Sequence, residues 1–154
     1  MKIAEALVRM KDVKGKIAET QRTIQMDALF KKVDESQVIP NIEGVILSLG
    51  SLAQELSTLK TRVAKTNAKH GLVEKIYEMD KLKYMVSALE SHAKSKQETT
   101  SLEYVSYGDK PVPLTTYATF DVSELAAKVE GMKTRIREVD MELQKLNWQI
   151  DLED

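Results

Sequence analysis

Leu125, Val129, Met132, Ile136, Val139, Leu143, Leu146 and Ile150 follow one another at alternating steps of four and three residues, without a break. That spacing puts eight apolar side chains in one stripe along a single helix, about 45 Å long. A helix of that length cannot stand alone in water, so the rest of the chain must supply apolar faces to cover it. Asp121 is placed to cap its start, with Glu124 three residues on as the second half of a capping box. The pattern predicts a helix over 122–151.

Three more stretches carry weaker versions of the same rhythm. Val45, Leu49, Leu52, Leu56, Leu59, Val63 and Thr66 predict a helix over 42–70, starting after Pro40-Asn41 and ending at His70-Gly71. Gly44 and Gly50 weaken it by up to about 1 kcal/mol each, unless they permit a close helix approach. Ile3, Leu7, Met10, Ile17 and Ile24 predict a first helix over 2–31, with Lys14 and Gln21 as polar seam positions. Leu72, Ile76, Met79, Val86 and Leu89 predict a third over 72–97, with Asp80 and Lys83 beside the stripe.

Between the third and fourth helices the texture changes. Tyr, Val and Thr flank Gly108-Asp109-Lys110-Pro111 across 101–120, which reads as a β-hairpin with its prolines on an edge. The short connection at His70-Gly71 makes the second and third helices antiparallel neighbours. The expected fold is all-α: an antiparallel four-helix bundle with long coiled-coil-like helices and a β-hairpin insert before the last helix. It is read as a single helical-bundle domain over 1–154. A rod that buries its stripes only by oligomerising is the alternative.

Composition narrows the function classes. Lys and Arg total 23 against 24 Asp and Glu, a net charge of −1, which argues against a strongly basic nucleic-acid binder. Residues 1–31 are net basic and 121–154 net acidic, which favours packing the terminal helices together. The absence of cysteine removes disulfides, thiol catalysis and Cys-based metal sites. Charges recur from Lys2 onward and the longest apolar run, 44–53, is half of a membrane span. A cytoplasmic protein is the expectation.

Catalytic motifs are not found in the sequence. His70 and His92 have no partner at ligand spacing, and Glu90 precedes His92 by two residues rather than the three of a di-iron helix. Both read as exposed or capping residues. Arg62, Lys65 and Lys69 form a basic strip that reads as a solvated face. The expectation is therefore no enzyme, no catalytic or metal-binding residue and no cofactor. Arg62, Thr66, Asn67, Asp80, Asn147 and Trp148 remain as a polar cluster: a buried layer fixing register, or a pocket at one end of the bundle. Equal spacing of Arg62 and Asp80 from the 70–71 turn predicts a partly buried ion pair between them.

Met1-Lys2-Ile3-Ala4-Glu5-Ala6-Leu7, Arg62-Val63-Ala64-Lys65-Thr66-Asn67, Asp80-Lys81-Leu82-Lys83 and Leu146-Asn147-Trp148 together resemble the septicolysin-like family of small uncharacterised bacterial proteins. The resemblance implies a cytoplasmic, oligomeric helical protein with no assigned catalytic residues. The family name points to membrane-active cytolysins. The residues themselves favour a self-assembling structural or interaction protein, ahead of a membrane-active protein or a small-ligand binder. The expected partner is a second copy of the chain, in a homo-oligomer from a dimer up to a hexamer with the hairpin in the contact. Neither nucleic acid nor membrane is an expected partner.

Overall fold

Each helix starts or stops where a side chain or a glycine takes over from the helical hydrogen bonds. The computed structural model describes residues 1–29, 31, 33–104, 108 and 110–153. Their order is α1 (Ile3–Asp27), α2 (Glu43–Lys69), α3 (Leu72–Ala93), β1 (Glu98–Glu103), β2 (Val112–Tyr117) and α4 (Val122–Gln149). Helices of 25, 27, 22 and 28 residues make up about two-thirds of the chain. Because an antiparallel sheet is present, all-α is too narrow a label: the fold is mostly helical with one two-stranded sheet.

Asp121 Oδ1 accepts the Glu124 N–H at 2.9 Å and so caps α4. The Glu124 carboxylate pairs with Lys128 at 2.6 Å, one turn further along the helix. Asn41 Oδ1 accepts the Glu43 N–H at 3.0 Å at the start of α2. At the other end of α2, Gly71 takes φ +65°, where a Cβ would be strained, and the chain turns directly into α3. α1 stops at Asp27 rather than 31, since Asp34 and Gln37 side chains take over the local N–H groups of Ser36 and Val33. α3 stops at Ala93 rather than 97, because Gln97 is drawn into the base of the hairpin.

The chain divides into two compact units, 1–73 with 144–154, and 74–143. In the first, α1 and α2 run antiparallel, with Arg9 bonded to Glu55 at 2.6 Å and Thr20 and Thr23 beside Gly44 and Val45. The core of this unit includes Ile3, Ala6, Val13, Leu59, Val63 and Leu72. The α1 seam is Ile3, Ala6, Met10, Val13, Ile17, Thr20 and Ile24, all buried or half-buried, whereas Leu7, Lys14 and Gln21 are exposed. The expected polar seam positions were therefore one residue out of phase. Gly44 and Gly50 do not mediate a close approach: a Cβ on either would meet nothing within 4 Å.

In the second unit, α3 and α4 run antiparallel, as their ion pairs show. Lys75 meets Glu142 at 2.9 Å, Arg135 grips Glu78 through two bonds of 2.8 and 3.2 Å, and Lys133 meets Glu90 at 3.0 Å. The α4 stripe is inward at every expected position from Leu125 to Leu143, with Val129, Val139 and Leu143 buried.

The hairpin runs from Glu98↔Tyr117 to Glu103↔Val112: the first arm starts three residues earlier than expected, while the second starts at Val112 as expected and ends three residues sooner. Val105–Tyr107 of its expected first arm and Asp109 of its expected turn lie outside the described residues. Ala118 N–H donates to Gln97 O at 2.8 Å, which makes 97/118 a hydrogen-bonded pair and fixes the alternation. Pro113, opposite Leu102, thereby falls at a non-bonded position where its missing N–H costs nothing. Thr100 and Thr115 share the closer type of pair, and their hydroxyls bond at 2.7 Å. Gln97 ties the base together: its amide reaches Ala118 O and Phe120 O, and its oxygen accepts the first N–H of α4.

Candidate functional site

A dense polar arrangement lies in the first unit, where the two ends of the described chain meet. After Gln149 the chain becomes extended, and Ile150, Asp151, Leu152 and Glu153 alternate apolar with acidic. Ile3 N–H donates to Ile150 O at 3.1 Å and Leu152 N–H to Met1 O at 2.8 Å, so a short antiparallel bridge joins Lys2 to Asp151. Leu152 is 8% exposed and anchors this tail in the core. Lys2 Nζ reaches both Gln149 O at 3.0 Å and Asp151 Oδ2 at 2.8 Å. The ammonium thus sits at the negative end of α4 and holds the Asp151 carboxyl below its ordinary range.

Glu153 then docks on the last turns of α2. Its N–H donates to Thr66 Oγ1 at 2.9 Å, and its carbonyl accepts from Arg62 Nε at 2.7 Å. Its carboxylate accepts from Lys69 Nζ at 2.7 Å, with His70 Nε2 at 3.7 Å. The Lys69 bond, then the nearby cationic charge, holds the Glu153 carboxyl below its ordinary range. Arg62, Thr66 and Lys69 are spaced by four and three, which puts them on one face of α2. The strip read as a solvated face is thus engaged, through Arg62 and Lys69, by the C-terminal tail.

Of the six residues singled out from sequence, Arg62 and Thr66 meet through this tail. Thr66 is fully buried, and its hydroxyl also donates to Arg62 O at 2.7 Å. Asn67 is half-buried, with its Oδ1 covered and unpartnered. Asn147 is half-buried in the same unit, while Trp148 stands in solvent. Asp80 belongs to the other unit and is exposed on α3 between Tyr77 and Tyr84, so it is not a member of a buried layer. The partly buried partner expected for Arg62 is not what Asp80's exposure provides; the hydrogen bond seen from Arg62 Nε goes to a main-chain oxygen. Sequence reasoning missed Glu153 and Leu152, although the two-residue alternation after the helix signals an extended tail.

The histidines have structural roles. His70 closes the end of α2, and His92 meets the ring of Phe120 edge-on at 6.3 Å. Among the described residues no group of three or more His, Asp or Glu is placed to hold a metal ion, and no helix is long and apolar enough to cross a membrane.

The sequence profile of a family of unknown function, DUF6847, matches residues 10–152. The chain belongs to this family. That assignment overturns the septicolysin-like resemblance, since the family that spans the chain is DUF6847 and nothing found points to septicolysins. The four segments behind the resemblance are only three to seven residues long, too short to identify a family. A crystal structure described as a functionally unknown conserved protein from Corynebacterium diphtheriae matches over 99% of both chains, with a TM-score of 0.81 and 23% identity. At that identity the DUF6847 chain shares its fold with the bacterial protein, and the likeness carries no activity. No curated protein matches the chain.

Proposed function

We infer that this DUF6847 protein is a non-enzymatic, self-assembling helical protein whose partner is a second copy of itself. One observation carries this reading. The α2 stripe is buried at Leu59, Val63 and Thr66 but only half-buried from Val45 to Leu56, so the apolar seam outruns the cover this chain gives it. The same region leaves Leu29 91% and Val38 85% exposed, with Leu47 also in solvent. Large apolar side chains in solvent, on α2 and on the segment leading into it, favour an interaction face.

The polar groups favour the same conclusion. Arg62, Thr66, Lys69 and Glu153 bond to one another in tying down the C-terminal tail, which is structural work. An antiparallel four-helix bundle with coiled-coil-like helices, acting in the cytoplasm, belongs to this reading. Antiparallel pairing of helices within each unit supports the bundle. The exposed Leu102, Tyr104 and Tyr117 of the hairpin offer a further contact surface.

Light scattering across a concentration series tests the proposal. A mass that rises to a multiple of 17.4 kDa supports it, and 17.4 kDa throughout refutes it.

A further inference from the structure

One face of α3 is its own complement. Tyr77, Asp80, Lys81 and Tyr84 stand at i, i+3, i+4 and i+7, which places them together across two helical turns. With Met85 they line one shallow, open groove within the second unit. Tyr77 is 67% and Tyr84 78% exposed. Among the described residues neither Asp80 nor Lys81 makes an ion pair, although both stand between two aromatic rings at the surface.

The order along the helix is Tyr-x-x-Asp-Lys-x-x-Tyr. Reversing its direction exchanges tyrosine for tyrosine and acid for base. Resting on the self-association reading above, we propose that a second copy of this chain packs its α3 antiparallel against this face, about a twofold axis passing between Asp80 and Lys81. In that arrangement Tyr77 comes level with Tyr84 of the second copy, and Asp80 with its Lys81. Symmetry makes each pairing twice. A parallel alignment in register would set Asp80 against Asp80, so charge selects the antiparallel one.

The chemistry fits an interface between copies better than a polyanion site, because Asp80 sits at the patch centre. Exposed tyrosines supply contact area at a small entropy cost, and Met85 adds an adaptable apolar edge. Two turns of one helix cover less than the roughly 800 Å² per partner of a standard interface. The dimer closed by this face is therefore concentration-dependent.

The experiment is sedimentation equilibrium over a dilution series on the wild-type chain, Asp80→Lys, Lys81→Asp and the double exchange. Circular dichroism checks that each exposed substitution keeps its helix content. Either single reversal puts two like-charge pairs at the axis and is expected to raise the dimer Kd about tenfold or more. The double exchange restores the pairing, with a Kd within about threefold of wild type. Because the chain has no cysteine, Tyr77→Cys with Tyr84→Cys is expected to oxidise to a covalent dimer. Those two positions lie about 10 Å apart along one helix, too far to bond within a chain. An associating wild type whose Kd ignores the single reversals, or is not restored by the double exchange, overturns this interface and leaves self-association standing. A wild type that stays at 17.4 kDa overturns self-association itself, and the interface with it.

Discussion

Thr66 Oγ1 accepts the Glu153 N–H at 2.9 Å while its own proton goes to Arg62 O at 2.7 Å. The hydroxyl is fully buried, so both bonds are made away from water. Thr66→Val keeps the shape and removes the oxygen, which leaves the Glu153 N–H without its acceptor. We expect a loss of about 1–3 kcal/mol, with Thr66→Ser losing less. Urea unfolding of the three chains checks this. A Val variant as stable as wild type would remove the tail from the list of structural contacts.

The tail is also anchored by an apolar side chain. Leu152 is 8% exposed, and its N–H donates to Met1 O. Leu152→Ala empties that site and is expected to cost about 2–5 kcal/mol. Hydrogen exchange should show the Ile3 amide opening first, since its acceptor is Ile150 O at 3.1 Å in the same bridge. Global unfolding without faster local exchange at Ile3 would argue against a docked tail.

Legibility in the sequence followed side-chain size. In α4 the inward positions are large and apolar, so counting steps of three and four found every one from Leu125 to Leu143. In α1 the inward positions Ala6 and Thr20 are small or polar, and the same counting slid to Leu7, Lys14 and Gln21. Gln97 could not be read as a helix terminator, because what ends α3 is a bond across the hairpin to residue 118. Within the polar cluster, Arg62 and Thr66 were visible as helix-face neighbours. Their partner was not, since a main-chain carbonyl and N–H of Glu153 carry no residue-type signal.

Acid should weaken the second unit through Glu90. The Lys94 ammonium, then that of Lys133, hold its carboxyl down at about 2 against an ordinary 4.5. A depressed carboxyl stabilises the fold above its unfolded value and loses that contribution as the pH falls through the folded one. The affected window therefore runs from about pH 4.5 down to about 2. Glu90→Gln should flatten part of that decline while lowering stability at neutral pH. Urea midpoints at about pH 6, above the window, and at about pH 4 and 3, inside it, provide the comparison. Identical slopes for the two chains would show that the Lys94 and Lys133 bonds do not form in solution.

Three helical glycines should be replaceable with profit to stability. Gly15, Gly50 and Gly131 lie inside α1, α2 and α4, at ordinary helical φ, and a Cβ on any of them would meet nothing within 4 Å. Alanine there narrows the unfolded ensemble without a clash, for a gain of about 0.5–1 kcal/mol at each site. An added Cβ meets open space at each of the three sites, so their effects should add in a triple variant. Gly71 supplies the contrast. Its surroundings are equally open, but its φ of +65° strains any L side chain, so Gly71→Ala should destabilise. Thermal unfolding of the four single variants separates the two outcomes. If Gly50→Ala lowers the melting temperature instead, α2 is closely approached at that point by something outside this chain, and the second copy is the first candidate to test.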